Sequence, residues 1–215
     1  KKLNLPRNPR DYTSIAVTTD DSNDEIVYAS SMGDGVIQYK NGTPVQSYNE
    51  KNAFKETAGG YGSGYCYIDG LAFDKNGNLW MTSSEVNHAV LVLDKAGAWH
   101  RLDIEQLRGV YTINDILITS TNDKWIYVPR NTPKLVMIPN SESLDEVSSY
   151  EFTTLIDTDG KELTPSNYTC VAEDKDGYIW VGTNRGAVYF TKPRISSAED
   201  KAATRCTRAK YSNEE

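Results

Sequence analysis

Two stretches of this chain, a hundred residues apart, carry nearly the same sequence. AFDKNGNLWMTS begins at Ala72, and AEDKDGYIWVGT begins at Ala172. Two looser copies align with them on an aromatic residue inside a β-rich run, at steps of 52, 45 and 55 residues. The aligned aromatic residues are Tyr28, Trp80, Trp125 and Trp180. Repeats of this period predict stacked supersecondary units, such as the blades of a propeller.

Each copy contains the same succession of short segments. An apolar strand is followed by a turn of Asp, Asn and Gly, as in DKNGN at Asp74–Asn78 and DKDGY at Asp174–Tyr178. Such residues supply the positive backbone angles that tight hairpins need. The copy continues with a strand that carries the aromatic residue and a second polar turn. It ends with a third strand and a more polar fourth stretch. The pattern therefore predicts four-stranded antiparallel blades with a polar outer edge.

The predicted fold is an all-β β-propeller, forming a single segment over residues 1–215. A β-sandwich also strings short strands together, but it gives no reason for an aromatic residue at a fixed register. Short helical turns are allowed only between the repeat strands, at Asp103–Gly109, Ser141–Ser149 and Ser196–Arg205. The predicted blades cover residues 13–50, 66–103, 112–155 and 166–194, with the start of another blade at 203–215.

The fourth copy, AEDKDGYIWVGTNRGAVYF at Ala172–Phe190, resembles the two-component regulator propeller repeat. The second copy matches well over Asp74–Ser83, but Ser83 stands where the repeat has its second glycine-containing turn. The first and third copies are degenerate. With the linking strands, the resemblance covers about four fifths of the chain, from Ser14 to Phe190.

The resemblance implies an extracytoplasmic protein, periplasmic or at the cell surface of a Bacteroidetes-type bacterium. Such repeats occur in the periplasmic sensor regions of hybrid two-component regulators and in the PorZ-type surface protein of type IX secretion. The implied ligands are an oligosaccharide or lipopolysaccharide, and the implied partners are proteins of a sensor or secretion assembly. Because these propellers have more than four blades, we expect an arc from a longer protein that can dimerise through exposed blade faces. A small closed propeller is the alternative.

Composition narrows the range of partners. The formal net charge is -7, which disfavours nucleic acid and anionic membrane surfaces, since both require clustered Lys and Arg. No apolar run approaches the length of a membrane-spanning helix. The three cysteines, Cys66, Cys170 and Cys206, lack the spacing of a metal site and are expected to be buried free thiols.

No motif in the sequence carries catalytic, metal or cofactor chemistry. Asp74, Asn76 and Asn78 imitate the spacing of a calcium loop, but the glycine falls too early and a strand follows, so a hairpin turn is predicted. GGYGSGY at Gly59–Tyr65 lacks the helix of a phosphate-binding loop and is predicted to be a flexible connection. We therefore predict a non-catalytic binding module, with a polysaccharide lyase or glycosidase and a purely structural spacer as the alternatives.

The predicted ligand site is a rim of polar and aromatic residues. In a propeller, the loops between the second and third strands gather on one face with the segments that lead into the first strands. The alternative is that the polar and aromatic residues of this rim are ordinary solvated turn residues. The aligned Tyr and Trp residues are expected to pack between blades rather than to bind ligand. The predicted rim residues are Asp34, Tyr67, Asp69, Glu85, His88, Asn114, Arg130, Asn131, Asn167, Asn184 and Arg185.

Overall fold

The structure, a computed structural model, describes residues 11–58 and 64–209. Regular structure in these ranges is almost entirely β. One α-helix, α1, spans Ala198–Ala203, and a 3-10 turn spans Glu105–Leu107. Both fall in segments where the sequence allows a helical turn, whereas Ser141–Ser149 contains bends only. Among the described helices, none has the length and apolar character needed to cross a membrane.

The chain divides into two compact units. Unit 1 comprises Lys1–Ile116 with Ser143–Glu146, and unit 2 comprises Leu117–Glu142 with Val147–Glu215. Unit 1 contains two antiparallel four-stranded blades, β1 to β4 and β5 to β8, with strands in chain order. The end of β2 also pairs with the start of β5, Met32 with Tyr67 and Gly33 with Cys66. The strands are β1 (Tyr12–Thr19), β2 (Glu25–Gly33), β3 (Gly35–Lys40), β4 (Thr43–Tyr48), β5 (Cys66–Phe73), β6 (Leu79–Ser83), β7 (Val90–Leu93) and β8 (Trp99–Leu102).

Unit 2 contains two further four-stranded antiparallel sheets and a small hairpin that the sequence did not predict. The sheets are β9 to β12 and β15 to β18, and the hairpin is β13 with β14. The strands are β9 (Ile116–Ile118), β10 (Lys124–Val128), β11 (Lys134–Ile138), β12 (Tyr150–Phe152), β13 (Leu155–Ile156), β14 (Glu162–Leu163), β15 (Tyr168–Glu173), β16 (Ile179–Thr183), β17 (Gly186–Phe190) and β18 (Thr207–Arg208).

The structure corrects the predicted start of a further blade at 203–215. Residues Thr207 and Arg208 pair with Tyr189 and Val188, so they form the outer strand of the fourth sheet. The open edge of β17 accepts this strand, and the preceding Cys206 is held there because its backbone N–H donates to the Ile156 carbonyl at 2.9 Å. The fourth sheet therefore extends beyond the predicted 166–194, and residues 210–215 lie outside the described ranges.

The structure also corrects one expectation about the cysteines. All three are free thiols, and Cys66 and Cys206 are buried, but Cys170 is exposed. Cys170 lies on β15 opposite Gly182, and a glycine leaves that face of the thiol uncovered. Burial raises the pKa of the Cys66 thiol to about 12, which leaves it protonated and unreactive at neutral pH.

Within the described ranges, one turn geometry occurs six times. The first residue donates its N–H to the carbonyl of the fifth and accepts from the N–H of the fourth, at 2.9–3.0 Å in every case. The fourth residue is Gly or Asn with φ between 62° and 90°. The predicted hairpin turn at Asp74 is confirmed as one of these. The first residues of the six turns are Asp20, Asp74, Asp94, Thr119, Asp157 and Asp174.

In blades two and four, the turn aspartate also holds the repeated tryptophan. Oδ1 of Asp74 accepts two backbone N–H groups of its own turn, while Oδ2 accepts the indole Nε1–H of Trp80 at 2.9 Å. Asp174 binds Trp180 in the same way, at 2.8 Å. This hydrogen bond from Trp180 is the main cause that lowers the pKa of Asp174. One carboxylate thus fixes both the turn and the register of the strand that follows.

The two degenerate copies lack this bond for different reasons. In blade three, Thr119 replaces the aspartate, and the buried indole N–H of Trp125 has no partner among the described residues. In blade one, β2 has two more residues between the turn and the aromatic residue. Tyr28 therefore lies eight residues after Asp20, whereas each aligned tryptophan lies six residues after the first residue of its turn. The predicted alignment of Tyr28 with the tryptophans is therefore shifted relative to the turn. Oδ2 of Asp20 binds Lys40 Nζ instead, at 2.7 Å.

Most of the aligned aromatic residues pack as predicted. Trp80 and Trp125 are fully buried. Trp125 packs against Phe152 and Phe190, with ring centroids 6.0 and 5.5 Å away. Tyr28 and Phe73, both half-buried, meet edge to face at 5.8 Å and pack against the core of unit 1. Aromatic rings therefore form part of the buried core in unit 2, whereas in unit 1 Tyr28 and Phe73 cover a mainly aliphatic core.

Replacing Thr119 by Asp should stabilise the protein. The new Oδ1 would take over the turn bond that Thr119 Oγ1 now makes with Asp123 N–H, and Oδ2 would accept from the indole of Trp125. We expect a gain of about 1 kcal/mol in the free energy of unfolding, measured by urea denaturation. Thr119→Asn is the matched control, because it offers the turn only one acceptor oxygen. Equal stabilities of the two variants would contradict the explanation.

Candidate functional site

Unit 1 brings several predicted rim residues together on one surface. Asp34 lies between β2 and β3, Tyr67 and Asp69 lie on β5, and Glu85 lies between β6 and β7. The segment before β9 adds further side chains to the same surface. We call this group the acidic surface, and its members are Asp34, Tyr65, Tyr67, Asp69, Glu85, Tyr111 and Asp115.

Ser84 ties the three segments of the acidic surface together. Its hydroxyl donates to Asp69 Oδ2 at 2.7 Å and accepts the backbone N–H of Ile113 at 2.8 Å. Its own backbone N–H donates to the Tyr67 carbonyl at 3.2 Å. Because Ser84 is fully buried, these bonds hold β5, the β6–β7 connection and the segment before β9 in fixed positions.

The carboxyl group of Asp69 has an unusual proton affinity. Burial raises its pKa to about 8, the hydrogen bonds from Ser84 oppose this rise, and the charge of Asp115 adds to it. Asp69 is therefore mostly protonated at neutral pH. It can donate one hydrogen bond as well as accept others, whereas an ordinary ionised carboxylate only accepts.

Two tyrosines stand beside these carboxylates. The rings of Tyr65 and Tyr67 meet edge to face at 6.3 Å. Burial raises the pKa of Tyr65, and the nearby charges of Asp34 and Glu85 add to the rise. Tyr65 lies against the end of β2, where Gly33 has a φ of 104° and a side-chain carbon would come within 2.8 Å of the ring. A glycine at this position therefore makes room for Tyr65.

Glu85 presents an acceptor that no described residue uses. Its backbone N–H donates to the Val110 carbonyl at 2.8 Å, and its φ of 62° is rare for a residue with a side chain. Oε1 is buried and has no hydrogen-bond partner within the described part of the chain. A buried carboxylate oxygen without a donor is costly, so this position favours a ligand that brings one.

The remaining predicted residues of unit 1 have other surroundings. His88 pairs through Nδ1 with Glu56 and lines a separate pocket. Asn114 is exposed, and its backbone carbonyl accepts from Thr82 Oγ1 at 2.9 Å. Asn114 thus lies next to Asp115 on the acidic surface, whereas His88 does not contribute to that surface.

In unit 2, the predicted residues form a hydrogen-bonded turn rather than a charged cluster. Asn184 Oδ1 accepts the N–H groups of Ser166 and Asn167 at 2.9 and 3.2 Å, and Asn184 N–H donates to the Asn167 carbonyl. Asn184 and Asn167 therefore have a clear structural role. Three predicted residues of this unit are exposed in loops, and they are Arg130, Asn131 and Arg185.

The sequence prediction missed Tyr65, Ser84, Tyr111 and Asp115. Tyr65 belongs to GGYGSGY, which was predicted to be a flexible connection, and residues 59–63 of that stretch lie outside the described ranges. Ser84 could have been found from the hundred-residue offset between copies. It corresponds to Asn184. The backbone N–H of Ser84 donates to the Tyr67 carbonyl, and that of Asn184 donates to the carbonyl of Asn167, the residue a hundred positions later.

Comparison with known proteins agrees with this architecture. Residues 162–185 match the two-component regulator propeller family. Among curated protein sequences, none matches the chain. PorZ, a surface component of the type IX secretion system of Porphyromonas gingivalis, superposes with a TM-score of 0.76 at 17% identity, over 90% of this chain and 26% of PorZ.

Two other solved structures have the same type of fold. The extracellular domain of a candidate hybrid two-component system from B. thetaiotaomicron gives a TM-score of 0.58 at 15% identity, over 94% of this chain and 24% of that one. A candidate 6-phosphogluconolactonase from Bacteroides uniformis gives 0.52 at 10% identity, over 83% and 50%. This chain thus spans about a quarter of PorZ and of the extracellular domain.

These similarities define the fold as that of a β-propeller, represented here by four antiparallel blades. The predicted resemblance is confirmed, because residues 162–185, from β14 to just beyond β16, match the two-component regulator propeller family and the chain shares the fold of sensor and secretion propellers. The predicted ligand role of the rim residues is not tested by these similarities and is taken up below as a proposal.

The raised pKa of Asp69 predicts a specific pH dependence of stability. The folded protein keeps this proton up to about pH 8, whereas an unfolded aspartate releases it near pH 4. The stability that the bound proton gives the folded state is therefore lost as the pH rises from about 4 to 8. Asp69→Asn removes the titration. Relative to wild type, its Tm should therefore rise by at least about 3 °C between pH 5 and pH 8.5, measured by circular dichroism.

The control for this measurement is Asp159→Asn, which alters an exposed turn carboxylate of unit 2. Its Tm should follow the wild-type curve across the same window. If the wild-type and Asp69→Asn curves run parallel from pH 5 to pH 8.5, Asp69 is not protonated in the folded protein at neutral pH.

Proposed function

We propose that this chain is a non-catalytic propeller module of an extracytoplasmic sensor or surface protein, and that its acidic surface binds a glycan. The observation that carries this proposal is the convergence of carboxyl groups and tyrosine rings from separate loops of unit 1. Location in the periplasm or at the cell surface is part of the proposal. It is supported by the extracellular and surface settings named for the similar structures.

The chemistry of the acidic surface suits sugar hydroxyl groups. Carboxylate oxygens accept from hydroxyls, the protonated Asp69 can donate to a ring or hydroxyl oxygen, and tyrosine rings cover the apolar faces of a sugar. Oε1 of Glu85, which has no donor among residues 11–58 and 64–209, would gain one from a sugar hydroxyl. An uncharged oligosaccharide fits better than the phosphate-bearing part of a lipopolysaccharide, which the carboxylates would repel.

Partner proteins are a second part of the proposal. Ile15 and Val17 on β1 have exposures of 64% and 59%, which is unusual for apolar strand residues. An exposed apolar patch of this kind favours contact with another protein surface, either a component of a sensor or secretion assembly or a second copy of the chain. Recognition of nucleic acid is not proposed, because the chain is acidic.

An enzyme acting on a polysaccharide is the second candidate function. Two observations favour it: the fold similarity to a candidate 6-phosphogluconolactonase, and the pKa of about 8 of Asp69, which suits a general acid or base near neutral pH. Glu85 would be the second carboxyl group of such a site.

A calorimetric titration with a panel of uncharged oligosaccharides tests the proposed function. We expect at least one of them to bind without being converted, with product measured by chromatography after prolonged incubation. Tyr67→Ala should weaken that binding by about tenfold or more, since it removes a ring from the acidic surface. Lys175→Ala, an exposed turn variant of unit 2, should bind like wild type.

Each other outcome assigns a different function. Turnover that is lost in Asp69→Asn would show an enzyme. Absence of any binding across the panel would favour a structural spacer. Binding that is unchanged in Tyr67→Ala would show that the acidic surface is not the binding site.

A further inference from the structure

The acidic surface holds carboxyl groups that have no positive partner. Within residues 11–58 and 64–209, none of its four carboxyl groups forms an ion pair, whereas Asp20 and Glu151, elsewhere in the chain, each pair with a lysine. A positively charged ligand would therefore be attracted here without breaking an existing pair. The four groups belong to Asp34, Asp69, Glu85 and Asp115.

Asp69 already holds one positive charge in the form of a proton. Burial raises its pKa to about 8, and the charge of Asp115 adds to the rise. Asp115 lies close by, because its Oδ1 would be 2.8 Å from a side-chain carbon placed on Gly70. A neighbouring positive charge favours the ionised form of a carboxyl group. A ligand cation beside Asp69 would therefore replace the proton as the balancing charge.

Two tyrosine rings form a corner within the acidic surface. The planes of Tyr65 and Tyr67 meet at 89°. The faces of aromatic rings carry negative charge density and attract cations. Burial raises the pKa of Tyr67, and the charges of Asp69 and Glu85 add to the rise, which places both carboxyl groups near this ring. Rings and carboxyl groups therefore attract a cation to the same place.

A ligand can reach the acidic surface without entering the core of unit 1. Tyr111 is 58% exposed, and Asp115 is also exposed. A sugar ring can therefore lie on this surface against the accessible parts of the tyrosine rings. The other members are half-buried, and they are Asp34, Tyr65, Tyr67, Asp69 and Glu85.

An ammonium group suits this surface better than a metal ion. Among the described residues, no three carboxyl, imidazole or thiol groups lie close enough together to hold a metal ion. Ca²⁺ and Mg²⁺ need several oxygen ligands in direct contact. An ammonium group has three N–H donors, and both aromatic faces and separate carboxylates attract it. The mixture of rings and carboxyl groups therefore favours an organic cation.

We propose that the glycan bound at the acidic surface contains an amino sugar, whose ammonium group lies between the tyrosine rings and the carboxyl groups. This inference rests on the proposed glycan binding and adds the charge of one sugar unit. An amino sugar carries its ammonium group directly on the ring. A single unit can therefore pack against Tyr67 and bring its charge to Asp69 and Glu85.

Three trisaccharides with the same β-1,4-linked backbone test the inference by calorimetric titration into the full chain. They are the trisaccharide of glucosamine, its N-acetylated form and cellotriose, and only the first is charged at about pH 6. We expect the glucosamine trisaccharide to bind at least about tenfold more tightly than either uncharged match. Nα-acetyl-lysine amide, titrated in parallel, carries an amine without a sugar.

Two variants separate the local charge from the net charge of the chain. Glu85→Gln removes one charge and keeps the size of the side chain. Its preference for the glucosamine trisaccharide over cellotriose should fall at least about threefold, with an unchanged circular dichroism spectrum. Asp159→Asn removes the same charge from an exposed turn of unit 2, and its preference should equal that of wild type.

The possible failures are distinguishable. If the glucosamine trisaccharide binds no more tightly than cellotriose, the inference is overturned, while binding of cellotriose leaves the proposed glycan function standing. If none of the three sugars binds, both are overturned. An unchanged preference in Glu85→Gln, or an equal loss in Asp159→Asn, would show that the ammonium group does not lie at the acidic surface. Binding of Nα-acetyl-lysine amide as tight as that of the glucosamine trisaccharide would overturn the assignment to a sugar.

Discussion

The carboxylate of the turn aspartate has two oxygens, and the strongest repeats of this chain use them for two different tasks. Oδ1 of Asp74 organises the backbone of its turn, and Oδ2 binds the indole of Trp80. The first task makes the hairpin, while the second fixes which residue of the next strand faces the core. Because a slip of one residue would turn every side chain to the opposite face, this double use connects local turn chemistry to blade packing. The same two tasks in Asp174 explain why the repeated sequence keeps Asp, Gly and Trp at fixed spacing.

The same scaffold positions carry different chemistry in the two units. Asn184 of blade four corresponds to Ser84 of blade two, and Arg185 corresponds to Glu85, a hundred residues earlier. In blade four, the amide of Asn184 closes the loop on itself. In blade two, the smaller Ser84 reaches Asp69 instead and leaves Glu85 beside two tyrosines. Function on such a scaffold is therefore set by loop substitutions that leave the strand pairing unchanged.

The sequence predicted the strands and turns well because both depend on local pattern. The turn at Asp74–Asn78 could be recognised from residue types alone, and so could the strand that contains Trp180. Features that depend on tertiary contact were missed. Thr207–Arg208 form an outer strand because the edge of β17 is open to them, and no local sequence signal reveals this. The two-residue extension of the first hairpin changes the position of Tyr28 relative to the turn, although the residue types of the hairpin give no sign of it. For the candidate site, Asp34, Asp69 and Glu85 could be predicted from their places in the repeat, and the position of Ser84 from its offset to Asn184. The hydrogen bonds by which Ser84 orders these segments depend on tertiary contacts and could not be predicted.

A double-mutant cycle between Asp74 and Trp80 tests the central claim most directly. Both residues are buried, at 7% and 1% exposure, and the bond between them is charge-assisted. Asp74→Asn keeps an oxygen for the turn, and Trp80→Phe removes only the indole donor and part of the ring. Urea unfolding of the four proteins should give a coupling free energy of about 1–2 kcal/mol between the two positions. Additive effects would contradict the account, because they would mean that the turn and the tryptophan strand are fixed independently.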